Sequence, residues 1–495
     1  MNFTEKFAAS RYKELASVWE RASDCYEGSI KIREKQQEYL PPLESERKKD
    51  GQLSPQWKTR YNLACFKNLF RSAIDDIVGI MQRNPANIRF DVVNSETSET
   101  PQEVKDIEIY GNDSNDGLLG LKRRLNHAQA VFGRAGLLLD VEVEPVGYGV
   151  GGINPRFVIK EYPAYAILDG EVTVPAPGEK PYLKWVLLDE STSAYNPVEK
   201  KWIGRGKYRV LGIAGGAYYS CVIEGDNQEC EAQWRAFDFD NPPPHAIFPI
   251  FKATVLPMIP FTVCNVNRLG IHEWQNPPFY DVVEATLKRY QLSSIYHLGI
   301  YRHASPTLVL ANYKPRPDTQ LTLGGVLAME AGGNGNVPAS ASLMETSGAG
   351  LQEMRAAMEE AENVMKYVSL RTLLDGAGAN SSGEAIAMRT ASGTASIADM
   401  DQAGARAIEE QLVFAAIWAG ASVKEAGERI SYQADTSYLG SKFSLAEVTS
   451  FIVVNAAQKV LSKENQWAFF EAVAPNLLTS FEDNQIQLLQ EAETI

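Results

Sequence analysis

The sequence has 495 residues and a formal net charge of −14, with 44% hydrophobic and 22% charged residues. This composition excludes a wholly disordered chain, the length predicts several domains, and no apolar run is long enough to predict a membrane span. The excess of acidic residues argues against ordinary tight binding to DNA, because that binding depends on lysine and arginine. Two interpretations stay open: the charge serves solubility alone, or it belongs to a surface past which DNA slides.

The first predicted elements are two helices separated by prolines. The N-terminus lacks the basic and apolar segments of a secretory signal, and residues 5–36 predict a helix with one apolar stripe. Pro41-Pro42 cannot continue that helix, because proline lacks the backbone N–H. Residues 57–83 predict a second, strongly amphipathic helix that stops before Asn84-Pro85, and residues 88–93 predict a strand.

The middle of the chain predicts mostly β structure. Residues 117–132 predict a helix that leads directly into a strand at residues 136–143. Turns containing glycine and proline then separate further predicted strands, at residues 157–159, 182–188, 208–213, 218–223 and 261–266. Together with the preceding helices, this region predicts a mixed α+β domain over residues 1–278.

Three long helices dominate the second half of the chain. Apolar periodicity predicts them at residues 279–303, 351–374 and 384–419. An insert between the first two contains short predicted strands, at residues 307–310, 326–329 and 342–344. A loop of small residues, 375–383, joins the second helix to the third. Residues 428–434 predict one more strand, which would complete the earlier β region, and residues 441–495 predict helices.

No motif predicts catalysis or a cofactor. Gly147, Gly149 and Gly152 match the dinucleotide-binding spacing, but a strand rather than a helix is predicted after them, so a flexible turn is the better interpretation. The sequence has no phosphate-binding loop, and its histidines and cysteines do not recur at metal-ligand spacing. The five cysteines are odd in number and widely spaced, which predicts reduced thiols rather than a disulfide framework.

The start of the third long helix carries the most specific motif. Its residues Ser382-Gly383-Glu384-Ala385-Ile386-Ala387-Met388-Arg389 resemble the start of the tunnel helix in the portal proteins of tailed bacteriophages. The N-terminal signature of the same family is similar to residues Tyr39-Leu40-Pro41, Arg60, Ala64, Phe66, Asn68 and Gly79. The order helix, β insert, helix, small-residue loop and long helix also resembles the stem, clip, stem, tunnel loop and tunnel helix of that family.

The resemblance implies a fold and its boundaries. The fold would be α+β, a portal fold with a mixed α/β wing, long stem helices, a small β-containing clip, a tunnel loop and a helical crown. The implied segments are the wing at 1–278, a stem helix at 279–304, the clip at 305–347, a stem helix at 348–374, the tunnel loop at 375–383, the tunnel helix and wing completion at 384–440, and the crown at 441–495.

The resemblance also implies a function and partners. Portal proteins form a homo-oligomeric ring, usually a dodecamer, at one capsid vertex of the virion, and they assemble in the host cytoplasm. The ring nucleates procapsid assembly with the major capsid and scaffolding proteins, docks the terminase and the head–tail adaptor, and conducts double-stranded DNA during packaging and ejection. The chain would then have no cofactor, no metal, no membrane contact and no catalytic activity. The alternatives are another head–tail connector or structural virion protein, and an enzyme with an unrecognised site in the β region.

Three sets of residues are the candidate functional sites implied by the resemblance. The tunnel loop is pliable through its glycines and has little apolar surface to bury, so it would contact DNA weakly through Asp375, Asn380, Ser381 and Ser382. The clip would bind terminase or adaptor through Lys314, Arg316, Asn334 and Asn336. A narrow apolar seam on the second stem helix would form the ring interface through Leu351, Met354, Met358 and Met365.

Overall fold

The structure is a computed structural model that describes residues 3–47, 52–82, 86–90, 101–112, 114, 116–145, 153–173, 182–196, 201–252, 254–267, 270–271, 273–274, 276–303, 307–311, 340–344, 349–368 and 383–435. The chain divides into two units, Met1–Ala434 and Asp435–Ile495. All described residues except Asp435 belong to the first unit, so the helices predicted over 441–495 lie outside the described residues.

The elements are numbered here in chain order. The helices are α1 (Phe3–Phe7), α2 (Ser10–Glu27), α3 (Ser29–Glu34), α4 (Pro55–Leu63), α5 (Leu69–Met81), α6 (Gln102–Lys105), α7 (Ile107–Tyr110), α8 (Gly117–Phe132), α9 (Asn227–Arg235), α10 (Tyr280–His303), α11 (Ala349–Val368), α12 (Gly383–Trp418) and α13 (Val423–Arg429). The strands are β1 (Asn87–Phe90), β2 (Ala135–Pro145), β3 (Ile153–Pro163), β4 (Ile167–Thr173), β5 (Tyr182–Asp189), β6 (Thr192–Asn196), β7 (Lys201–Ala214), β8 (Ala217–Gly225), β9 (Ile250–Phe251), β10 (Thr254–Val255), β11 (Phe261–Cys264), β12 (Thr307–Ala311), β13 (Ser340–Met344) and β14 (Ile430–Gln433).

The helix predicted over residues 5–36 is three helices, because the chain breaks at residues 8–9 between α1 and α2 and again at Gly28 between α2 and α3. Gly28 has φ +103°, a backbone conformation that favours glycine, and a Cβ there would lie 3.2 Å from Asn68 Nδ2. The apolar stripe itself is confirmed at Leu15 and Trp19, which are buried. Trp19 Nε1 donates a hydrogen bond to Phe132 O at 3.0 Å, so the stripe fixes α2 against the end of α8.

The helix predicted over residues 57–83 is two helices, α4 and α5, so the single-helix prediction is wrong. Ser293 on α10 holds the backbone between them, since its hydroxyl donates to Cys65 O at 2.9 Å and accepts from Cys65 N at 3.2 Å. The Asn68 side chain then caps α5 by accepting from Arg71 N at 2.9 Å. Tertiary hydrogen bonds thus replace the helical ones at the break.

The β part consists mainly of two antiparallel sheets. In the three-stranded sheet β2 lies between β11 and β3, and in the five-stranded sheet β4 pairs with β5, β5 with β7, and β7 with both β6 and β8. The predicted strands are confirmed, with longer bounds for most of them. The predicted strand over residues 428–434 is β14, which pairs with β1 as a separate two-stranded sheet, and α13 extends as far as Arg429.

Five elements of this region are absent from the sequence prediction, namely β4, β6, β9, β10 and α9. The start of α9 has a capping box, in which the Asp226 carboxylate accepts from Gln228 N at 2.8 Å and Glu229 N at 2.9 Å, while Glu229 accepts from Asp226 N at 3.0 Å. The Asp226-x-x-Glu229 spacing is visible in the sequence and could have predicted this helix.

The core lies where the C-terminal half of α12 packs on the three-stranded sheet and on α8. Trp418 is fully buried at the end of α12, with ring centroids 6.0 Å from Phe157 on β3 and 6.1 Å from Tyr218 on β8. Thr262 on β11 donates to Glu410 at 2.9 Å and accepts from Gln411 Nε2 at 3.0 Å. The long helix is therefore a central element of the mixed domain along this half.

His127 on α8 gives the first testable prediction. Its ring lies 4.5 Å from Tyr26, and its Nε2 is buried with no hydrogen-bond partner among the described residues. Burial lowers the pKa of His127, and nearby Arg123 and Arg71 lower it further, while Asp75 opposes them. The unfolded chain keeps the usual imidazole pKa of about 6.5. Below that pH the unfolded state takes up a proton more readily than the native state, so stability falls as the pH falls.

We therefore expect the urea midpoint of the wild type to drop between pH 7.5 and pH 5.5, and expect the drop to be smaller in His127→Phe. His245→Phe, at an exposed histidine, is the control for the substitution itself. An equal drop in wild type and His127→Phe would contradict the assignment.

Candidate functional site

The two predicted stem helices, α10 and α11, form an antiparallel hairpin. Arg289 Nε lies 2.8 Å from Glu362 Oε1, and a Cβ on Gly299 would lie 2.7 Å from Leu351, so the chain directions are opposed. At the far end β12 pairs with β13 in antiparallel register, with Thr307 opposite Met344. The described part of the insert thus continues the hairpin as two strands.

Polar contacts fasten this hairpin to the N-terminal helices. Glu362 on α11 binds both Arg289 on α10 and Lys67, whose Nζ lies 2.8 Å from Glu362 Oε2. Partial burial acts to raise the pKa of Glu362, but the hydrogen bonds from Lys67 and Arg289 prevail and lower it. Arg60 Nη1 donates to Ser294 Oγ on α10 at 2.9 Å. Helix α10 is therefore tied along one side to the mixed domain.

The candidate ring-interface residues belong partly to the interior of the single chain. Met358 is only 9% exposed, and Leu351 and Met354 are half-buried, while the side chain of Met365 lies outside the described residues. The single chain therefore covers most of the Met358 side chain through packing of α11 on α10. The assignment of these residues to the ring interface stays a prediction.

Other apolar side chains of the hairpin stay exposed in the single chain. They are Ile300 and Tyr301 on α10, 39% and 56% exposed, and Val364 on α11, 37% exposed. The sequence pattern does not single them out, because periodicity marks which residues are apolar and does not distinguish the buried face from a second, exposed one. Ile300 and Tyr301 lie beside the start of α11, whereas Val364 lies near its other end. Adjacent exposed apolar residues such as Ile300 and Tyr301 are a surface type used for protein–protein contacts.

Helix α12 follows the predicted tunnel loop and has 36 residues, a length of about 54 Å at 1.5 Å per residue. Its N-terminal end is Gly383, and Asp375, Asn380, Ser381 and Ser382 lie outside the described residues, so their role stays a prediction. The C-terminal half of α12 is buried in the core. The helix can therefore hold the residues before Gly383 at a fixed distance from the mixed domain.

The clip candidates Lys314, Arg316, Asn334 and Asn336 also lie outside the described residues. Of the three predicted clip strands the structure describes two, β12 and β13, which are confirmed and paired with each other. Residues 326–329 are outside the described ranges, and the docking role of the clip stays a prediction.

The β region brings together one residue pair that resembles a catalytic pair. Cys221 Sγ on β8 lies 3.3 Å from His245 Nε2. Burial raises the pKa of the Cys221 thiol, which favours the neutral form, whereas nucleophilic cysteines depend on a lowered pKa. The pair is therefore a packing contact with a weak hydrogen bond, and the sequence distance between the two residues explains why no motif marks it.

One cavity of about 320 Å³ lies between α12 and β14, away from that pair. It is lined by Gln402, Ala405, Arg406, Glu409, Tyr432, Gln433 and Ala434. The carboxylate of Glu409 in this lining accepts a hydrogen bond from Tyr432 N at 2.9 Å and so links α12 to β14. The cavity therefore brings together no nucleophile, base and acceptor that would define a reaction.

Within the ranges that the structure describes, no three His, Cys, Asp or Glu side chains are grouped so that they could hold a metal ion. None of the described helices combines the length and apolar character needed to cross a membrane.

Comparisons with known proteins give one family and two structures of interest. Residues 278–419 match the family described as "Domain of unknown function (DUF4055)". No curated protein matches the sequence. The chain is similar to a chain of the "Neck of empty GTA particle computed with C6 symmetry", with 11% identity, 85% of this chain and 89% of that chain covered, and a TM-score of 0.35. It is also similar to a chain of the "Virion of native gene transfer agent (GTA) particle", with 11% identity, 92% and 98% covered, and a TM-score of 0.34.

Proposed function

We propose that the chain is a portal protein, a structural subunit without catalytic activity that forms a closed ring around a DNA channel at one capsid vertex. One observation carries the proposal, the antiparallel hairpin of α10 and α11 that is prolonged by β12 and β13 and followed by the 36-residue helix α12. This order agrees with the stem, clip and tunnel helix implied by the sequence resemblance. The matched family segment, residues 278–419, spans the same elements.

The charge and the exposed surface of the chain support the same proposal. Each subunit carries a net charge of −14, a balance that suits a conduit for DNA better than a surface that holds phosphate groups through lysine and arginine. The exposed neighbours Ile300 and Tyr301 offer each subunit an apolar contact on α10. On this proposal the residues before Gly383 face passing DNA, and the insert beyond β12 docks the terminase and the head–tail adaptor.

Ring formation is the primary test. Light scattering and negative-stain electron microscopy of the purified protein are expected to show closed rings with a central channel. The double variant Ile300→Asp with Tyr301→Asp should fold and yield mostly monomers, because unpaired carboxylates in an apolar contact cost several kcal/mol.

The matched control is Ile30→Asp, since Ile30 is 74% exposed but lies on α3, outside the hairpin. Rings should persist in this control. A wild-type protein that stays monomeric over a range of salt and protein concentrations would count against the proposal. Rings that survive the double aspartate variant would exclude the hairpin surface as their interface.

A further inference from the structure

A fully buried polar cluster joins α8 to α12. Lys122 Nζ lies 2.8 Å from Asp401 Oδ1 and donates to Oδ2 at 3.0 Å, and neither side chain is exposed to solvent. Asn126 Nδ2 donates to Asp401 Oδ1 at 2.6 Å. Gln129 Nε2 lies 3.4 Å from Met400 O and 3.4 Å from Asn126 Oδ1. Three residues of one face of α8 thus converge on one turn of α12.

Glycine lets the two helices approach closely at this point. A Cβ on Gly404 would lie 2.4 Å from Asn126 Oδ1, so any larger residue at this position would displace the Asn126 side chain. Gly404 stands three residues after Asp401, on the same face of α12. The Asn126 side chain is therefore held in one position, between Asp401 and the backbone of α12 at Gly404.

The apolar packing of α12 differs along its length. Large buried side chains, Ile408, Leu412 and Trp418, lie on the C-terminal side of the polar cluster, whereas alanines at 403, 405 and 407 flank Gly404. Small side chains interdigitate little with a neighbouring helix, so at this point the polar contacts define the position of α12 more than the apolar ones do. A buried ion pair stabilises a fold little beyond apolar residues of the same volume, and its best-attested use is to define register.

We propose that Lys122, Asp401 and Asn126 form a register lock that defines the axial and rotational position of α12 on α8. Asp401 is eighteen residues from Gly383, about 27 Å along the helix, so the lock determines where the N-terminal end of α12 stands. A slip of one residue would shift that end by about 1.5 Å and rotate it by about 100°. The inference rests on the proposed function in one respect: the lock would position the channel-facing residues that precede Gly383.

The test replaces the polar residues by apolar residues of similar size, in the variant Lys122→Met with Asp401→Leu. Spin labels at Arg123→Cys on α8 and Arg406→Cys on α12, both exposed positions, report the position of one helix relative to the other in a Cys65→Ser background. Labelled subunits are diluted into unlabelled protein so that each assembly holds one pair of labels. The wild type should give one narrow distance, and the variant a shifted or broadened one.

The matched control is Glu46→Leu with Arg60→Met, which removes another buried ion pair that does not contact α12 and should keep the wild-type distance. An unchanged distance in Lys122→Met with Asp401→Leu would overturn the register lock. If that variant does not fold, Asn126→Leu, which keeps the ion pair and removes the second donor to Asp401, gives the same measurement with the same criterion.

DNA packaging into procapsids is the second measurement. A changed distance with several-fold less packaged DNA supports the full proposal. A changed distance with normal packaging would overturn the positioning of the channel residues. Wild-type protein that neither forms rings nor packages DNA would refute the proposed function, while the distance measurement would still decide the register lock.

Discussion

Glu46→Gln is expected to lower the free energy of unfolding by about 3–5 kcal/mol, because it leaves the Arg60 guanidinium buried without a carboxylate. Arg60 Nε lies 2.7 Å from Glu46 Oε1 and Nη2 lies 2.8 Å from Oε2, and both side chains are buried. Arg60 also donates to Pro41 O at 2.7 Å and to Ser294 on α10. The loss therefore loosens the link between the N-terminal helices and the hairpin.

Urea denaturation at fixed protein concentration measures this loss, because ring assembly would make stability concentration-dependent. The control is the double variant Glu46→Leu with Arg60→Met, which removes both charges and should lose much less than Glu46→Gln. If the double variant is the less stable of the two, the net ion-pair attraction matters more than the unpaired charge, contrary to the expectation.

Trp418→Ala is expected to cost about 3–5 kcal/mol, the range for removing a large buried aromatic side chain. Trp418 ends α12 between Phe157 and Tyr218, so its loss opens a cavity where the helix meets both sheets. Its Nε1 is buried without an acceptor in the part of the chain that the structure describes. Trp418→Phe also removes this unsatisfied donor, which offsets part of the lost packing.

The same denaturation experiment compares the two variants at this position. We expect Trp418→Phe to be clearly more stable than Trp418→Ala. Equal losses would mean that the cavity collapses around alanine or that the indole N–H has an acceptor in solution.

Long periodic segments could be predicted from the sequence, but the elements on which they pack could not. The bounds of α8 match the predicted helix at 117–132, because its apolar positions and the terminal Gly133, with φ +84°, are both local signals. The break between α4 and α5 is not local, since it depends on Ser293, 228 residues away in the chain. Periodicity cannot detect a hydrogen bond of that separation.

The candidate site also combines features that the sequence predicts with features that only the packing of the fold determines. The helix order and the strand insert follow from pattern and resemblance, whereas the burial of Met358 depends on how α11 lies on α10. Lys122 and Asp401 are charged residues in helices, a pattern typical of a solvated face, and only their pairing across 279 residues places them in the interior. Charge pattern alone therefore cannot separate a buried pair from two surface residues.

The pairing of β1 with β14 determines when the chain can finish folding during synthesis. Residues 87–90 meet residues 430–433, so the ribosome must add about 340 residues after β1 before its partner exists. At roughly 5–20 residues per second this takes about 17–70 s. Throughout that interval β1 lacks its partner strand, and unpaired strand edges promote aggregation. We therefore expect chaperones to bind the nascent chain around β1 until the residues of β14 have been synthesised.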